Sequence, residues 1–320
     1  MAGRLSVRLA AGSGPTFGVD DLACAAATHL GTWADEGLDV VWTPVHGGVA
    51  AMQAVLEGTV DISYGGLGPV MKFRSEGEPV RIIVSMARGL AQNLIVQQRI
   101  KTVDDLRGAS WALDGFGALS HHMARLLVKA LGIDESEIKW EAVGPPPQRI
   151  VRLLAGTIDV SLIRVEEAVS LDMDMTNSLH NLLGFADLKR LVPIQPHGVL
   201  ATLESYEAAH PEHLFRLTKG MIKASRLLHD DYQAFRQVYD HYVTVKVPDE
   251  KIKEIWQQER ASGGFAINGE MTDRHWEGER EEFRALNPTL SAFQLDDLLA
   301  KQFVERALAE LGVMSCADTT

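Results

Sequence analysis

The chain has 320 residues, 46% of them apolar and 23% charged, with a formal net charge of −12. Such a length suits about two globular domains with sizeable cores, and the acidity sets bulk electrostatics against nucleic acid and anionic membrane as partners. Two cysteines, Cys24 and Cys316, are too few for a thiol–zinc site, and Cys316 lies in a polar tail that reads as disordered, so no structural disulfide is expected.

Residues 1–10 run straight into a strand-like alternation, without the apolar run of about 7 to 15 residues that a secretory leader needs. No stretch approaches the roughly 18 apolar residues of a membrane span, so no membrane insertion is expected. As written the chain reads as cytoplasmic; with a leader removed it would be periplasmic. A helix starts near Asp21, a strand covers 38–45, and His46-Gly47-Gly48 forms a loop. A helix follows over about 49–57, closed by Gly58, and then a strand over 60–64. Further strands are expected at 81–85, 93–98 and 110–113. Ser120 is placed to cap a helix over 120–131, whose Met123, Leu126, Leu127, Ala130 and Leu131 have the spacing of one buried face. A strand over 138–143, a loop over 144–147, a helix over 148–155, Gly156 and a strand over 158–163 come next. Residues 192–195 and 198–203 look like returning strands. Helical periodicity then dominates, with helices expected at 213–228, 232–242, 249–262, 272–283 and 292–311.

An internal repeat organises this list. Gly58-Thr59-Val60-Asp61 matches Gly156-Thr157-Ile158-Asp159, and Trp42, Val45 and Ser63 find Trp140, Val143 and Ser161 at the same offset of 98 residues. The register holds without a gap from 42 to 63. Each copy reads as strand, loop, helix, glycine stop, strand, which implies parallel pairing with right-handed crossovers. Two similar units of this kind suit either one long sheet or two similar lobes, and the segment joining them favours two lobes.

Three stretches carry a family resemblance: Glu36-Gly37-Leu38-Asp39-Val40, residues 47–63, and residues 102–108 with the following Trp111-Ala112-Leu113-Asp114-Gly115. They resemble solute-binding proteins of ABC importers, particularly the nitrate/sulfonate/taurine and thiamine-precursor-synthesis-like branch. The resemblance implies an α/β type II periplasmic-binding-protein fold, with two parallel-rich sheets flanked by helices and a helical C-terminal region. It further implies a first lobe from 1–90 and 197–320, a second from 91–196, hinges near 88–93 and 193–198, and a ligand enclosed between the lobes.

In open α/β sheets, ligands sit beyond the carboxyl ends of the strands. That rule selects Ser13, Gly14, Thr16, His46, Gly47, Tyr64, Gly65 and Arg88 in the first lobe. In the second it selects Asp114, Phe116, Ser120, His121, His122, Gly144 and Arg164. Glycine-rich loops entering helices present N–H groups to an anion, or are plain turns. Arg88 and Arg164 suit two-point grip on a carboxylate, or surface ion pairs. At a helix N-terminus His121 is expected to be neutral and hydrogen-bonding, while Tyr64 and Phe116 could flank a ring. Cys24 reads as a small buried apolar residue, although a helix dipole could lower its pKa.

The expected function is a small-molecule binding protein for an anionic or aromatic solute, acting with an ABC permease, with no cofactor and no metal. The alternative is a cytoplasmic lyase on the same fold, a decarboxylase or sulfinate desulfinase, with Arg88 holding the leaving group and His46 or His121 donating a proton.

Overall fold

The N-terminal alternation becomes β1 (Leu5–Ala11), whose Val7 and Leu9 turn into the core while Arg8 faces outward. A computed structural model describes residues 4–12, 17–87, 91–173, 178–192, 198–261, 263–271 and 273–315. After β1 come α1 (Leu22–His29), α2 (Thr32–Asp35), β2 (Leu38–Pro44), α3 (Gly48–Leu56), β3 (Ile62–Gly66), α4 (Leu67–Ser75) and β4 (Val80–Ser85). The chain continues through β5 (Gln92–Gln97), β6 (Ser110–Leu113), α5 (Leu119–Ala130), β7 (Lys139–Ala142) and α6 (Pro146–Leu154). Next are β8 (Val160–Arg164), α7 (Val165–Met173), β9 (Leu179–Leu183) and α8 (Phe185–Leu191). β10 (Gly198–Leu203) leads into α9 (Glu204–Ala209), α10 (Pro211–Asp230), α11 (Tyr232–Tyr242) and α12 (Asp249–Ala261). The last helices are α13 (Asp273–Leu286), α14 (Leu295–Leu298) and α15 (Gln302–Leu311).

Two compact units result. One holds residues 1–88, 195–244 and 259–320, and the other holds 89–194 with 245–258. The stretch 245–258, expected with the first lobe, groups with the second unit. Each unit has its own five-stranded sheet, in the orders β2-β1-β3-β10-β4 and β7-β6-β8-β5-β9. β1 lies parallel to β2 and β3, as β6 does to β7 and β8. β10 and β5 run antiparallel to both of their neighbours. The two orders are therefore the same topology, and the repeated segments 42–63 and 140–161 occupy equivalent places in different sheets. β5 is buried along its whole length, as a strand covered on both faces requires.

The repeated Gly-Thr-x-Asp has one physical job in both copies. Gly58 and Gly156 end their helices at φ of +71° and +69°, a left-handed conformation that glycine adopts without side-chain strain. Thr59 and Thr157 then donate backbone N–H to Ala54 O and Arg152 O at 3.0 and 3.1 Å. Their hydroxyls reach the same carbonyls at 2.9 and 3.2 Å. Asp61 Oδ2 accepts the Arg8 N–H of β1 at 2.8 Å, and Asp159 Oδ2 accepts the Ser110 N–H of β6 at 2.9 Å. Each helix end is thus tied to an inner strand of its sheet, β1 in one and β6 in the other. The tryptophans do not share a role: Trp42 donates to Thr28 Oγ1 at 2.9 Å, whereas Trp140 packs edge-on against Trp111 at 5.6 Å.

Several expectations are corrected. The helix expected over 292–311 divides into α14 and α15, because Leu299 bridges to Ile82 of β4 and Ala300 N–H donates to Ile82 O at 2.8 Å. Backbone paired to a strand cannot also continue a helix. Val192 closes α8 instead of opening a strand, and 193–195 lie outside the described residues. Ser120 is not the cap of α5: Ala118 holds that place, and Ser120 sits within the first turn. Among the described residues, no helix is long and apolar enough to cross a membrane.

Removing the carboxylate of Asp159 leaves the Ser110 N–H of β6 without its acceptor. Asp159→Ala is expected to lower stability by about 1–3 kcal/mol, read as a fall in the urea midpoint. An unchanged midpoint would show that this tie does not hold the second sheet.

Candidate functional site

In the first unit the carboxyl ends of the strands meet through glycine. Gly12 N–H donates to Tyr64 O and Gly47 N–H to Gly12 O, both at 2.8 Å. A Cβ on Gly12 would fall 2.9 Å from Tyr64 O, and one on Gly65 would fall 3.0 Å from Gly48 Cα. Backbone packs directly on backbone, so no side chain can stand there. Gly47 precedes α3 at φ +88°, and the first turn of that helix has neither a capping side chain nor an acidic residue. Its N–H groups and positive dipole end suit an anion. His46 is exposed beside this turn, while Tyr64 is buried. Ser13, Gly14, Thr16 and Arg88 lie outside the described residues. Cys24 is fully buried in α1, where desolvation, with Asp21 adding to it, pushes the thiol well above its ordinary range, so the dipole does not activate it.

The second unit meets the same place differently. Gly144 adopts φ +110°, but α6 then opens with Pro145, Pro146 and Pro147 in its cap and first turn. Proline has no N–H, and the next two, of Gln148 and Arg149, turn back to Pro145 O at 2.9 and 3.3 Å. This helix end therefore offers a ligand little backbone. The charge comes instead from Arg149, only 3% exposed. Its Nη1 donates to Leu162 O at 2.7 Å and Ser161 Oγ at 3.1 Å. Its buried Nε meets no acceptor among the described residues. Burial pushes the guanidinium down to about 10; Asp114 and Glu167 act against that fall, and Arg164 adds to it.

Arg164 ends β8, half-buried, directly across from Gln92 at the start of β5. Glu167, in the first turn of α7, is buried, and its Oε2 has no donor among the described residues; the same holds for Gln92 Oε1. Burial raises the Glu167 carboxyl above the ordinary 4.5, while Arg164 and Arg149 pull it down. The loop after β6 completes the face. Ser120 Oγ accepts the Asp114 N–H at 2.9 Å, which fixes the loop to α5. Gly117 N–H donates to His121 Nδ1 at 3.1 Å, so that nitrogen carries no proton. Burial first, then Arg125, lowers the His121 pKa, which makes it a neutral ring and a poor proton donor near pH 7. Phe116, 65% exposed, stands edge-on to His121 at 5.4 Å, and His121 edge-on to Trp140 at 5.6 Å. His122 is half-buried on the same turn.

Asp114, Phe116 and Gly144 lie on loops around one end of the second sheet, with Ser120 and His121 in the first turn of α5 and Arg164 at the end of β8. Sequence reasoning missed Arg149, Glu167 and Gln92. One signal was present: in the repeat register Arg149 stands where the first copy has Ala51, which is fully buried.

The NMT1/THI5-like family model matches residues 22–231. The chain belongs to that family. No curated protein matches its sequence. Among solved structures, it is similar to a periplasmic sulfonate-binding protein, SsuA, from Methylobacillus flagellatus, at 15% identity over 100% of each chain, with a TM-score of 0.73. It is similar to the periplasmic nitrate-binding protein NrtA from Synechocystis, at 12% identity over 97% of this chain and 90% of that one, with a TM-score of 0.62. A DSZB structure in complex with biphenyl-2-sulfinic acid matches at 12% identity over 95% and 99%, with a TM-score of 0.66. These likenesses establish the periplasmic-binding-protein fold of this family member.

A carboxyl that holds its proton more tightly when folded supports stability fully below its unfolded value, near 4.5 for Glu167, and loses that contribution as pH rises through the raised folded value. Glu167→Gln is expected to flatten this decline in urea titrations run from acid to neutral pH. An identical pH profile in the variant would show that Glu167 does not titrate there.

Proposed function

We propose that the chain is a solute-binding protein that captures a small anionic solute, aromatic anions included, for an ABC-type importer. One observation carries this reading: Arg149 is buried at the carboxyl end of the second sheet, with Nε unmatched. Burying a guanidinium is costly unless its donors are used, and an anion uses them. The solute would draw on Arg149 and Arg164 in the second unit. Phe116 offers an exposed face to a ring. Neighbours in fold whose names specify sulfonate and nitrate support the anionic class and the importer partner. For the lyase alternative, the neutral His121 lacks the proton that chemistry would require of it.

A ligand that binds only the folded state stabilises it by about 2.7 kcal/mol at a hundredfold excess over Kd. Sulfonates, carboxylates and nitrate, screened by thermal shift, are expected to raise Tm, with uncharged amide or ester analogues inactive. Arg149→Lys and Arg164→Ala should each weaken a hit by about tenfold or more, and the hit should be recovered chemically unaltered. The reading fails if no anion shifts Tm, if both variants bind as the wild type does, or if the hit is consumed.

A further inference from the structure

We propose that the captured anion also carries a hydrogen-bond donor, and that Glu167 and Gln92 accept from it. This rests on the reading of Arg149 above and narrows its ligand class. The first support is charge balance. Asp114 and Glu167 act electrostatically on Arg149, and Arg164 acts on Glu167. A site for a bare anion gains nothing from these carboxylates. They oppose the attraction that the arginines supply. A solute bearing an anionic group and an N–H or O–H satisfies both signs.

The second support is the set of unmatched atoms. Arg149 Nε is a donor, while Glu167 Oε2 and Gln92 Oε1 are acceptors. All three side chains are more than nine-tenths buried, and they come from three elements, α6, α7 and β5. Gln92 sits across from Arg164 in the β5–β8 register, so the two side chains share a face of the sheet. Glu167 belongs to the helix that leaves β8 directly after Arg164. Buried polar atoms ordinarily have partners, and each exception calls for an explanation. One solute with a donor beside its charge answers the donor and the acceptors together.

Matched pairs test this by calorimetry: propanoate against 3-aminopropanoate, and benzenesulfonate against 3-aminobenzenesulfonate. In the wild type the amino-bearing member of at least one pair is expected to bind about tenfold or more tightly, the scale of one hydrogen bond to a charged group. Glu167→Gln should reduce that preference to about threefold or less, and Gln92→Leu should reduce it in part. If the parent anions bind and the amino group adds nothing in either pair, the donor proposal falls and anion capture stands. If no member of either pair binds, the donor proposal falls, and the thermal-shift screen over other anions decides anion capture. A preference undiminished in both variants also overturns the proposal. The wild-type comparison decides even where a variant does not fold.

Discussion

A single carboxylate contact organises both halves of this molecule. Asp61 and Asp159 each accept a backbone N–H from the inner strand beside their own, β1 or β6, soon after a glycine and a threonine have closed the preceding helix. A helix packed on a sheet is free to slide or rotate unless its end is pinned. Here the pin is directional and lies at the amino end of β3 and of β8. With that end fixed, the loops that vary collect at the opposite, carboxyl end, where α/β sheets recognise small molecules. The scaffold is duplicated because the pin is duplicated.

The recognition chemistry is not duplicated. At the carboxyl end of the first sheet, glycines remove side chains and leave backbone N–H groups facing outward. At the matching place in the second sheet, prolines remove the N–H groups and a buried arginine supplies the charge. A helix end provides a diffuse partial charge, whereas a guanidinium provides five directed donors. Placing that cation in the interior also draws in Glu167 and Asp114 as counter-charges. The two units thus present different chemistry at equivalent places, backbone in the first and a buried guanidinium in the second.

What was legible in the sequence follows from the same distinction. Gly58, Gly156 and the aspartates two or three residues on are constrained by backbone geometry, and such constraints leave position-specific marks that a single chain reveals through its own repeat. Arg149 leaves a fainter mark, a charge where the first copy of the repeat has the buried Ala51. Its neighbours Pro147, Gln148 and Arg152 read as an ordinary solvated helix, and its burial is plain only in the structure. Ser120 misled for a related reason: a serine at the start of an apolar run resembles a cap, yet its hydroxyl serves the loop behind it. β9 escaped notice because Leu179-His180-Asn181-Leu182-Leu183 is short and polar at its centre. The break between α14 and α15 depends on a bridge to a strand more than two hundred residues earlier, beyond the reach of local periodicity. Cys24 was legible as a small buried apolar residue among alanines, and burial does push its thiol well above the ordinary range.

The returning strand has a consequence for how the molecule is made. β10 sits between β3 and β4 and separates two strands that precede it by more than a hundred residues. As the polypeptide leaves the ribosome, β1 to β4 emerge first, yet their sheet lacks an inner member until residue 203 is out. β5 to β9 form a full sheet earlier, at residue 183. Vectorial synthesis thus reverses the apparent order of the gene. The strands of the second sheet are all made before the first sheet is complete, although the second unit still awaits residues 245–258; the first sheet waits, its apolar strands unsealed, for β10.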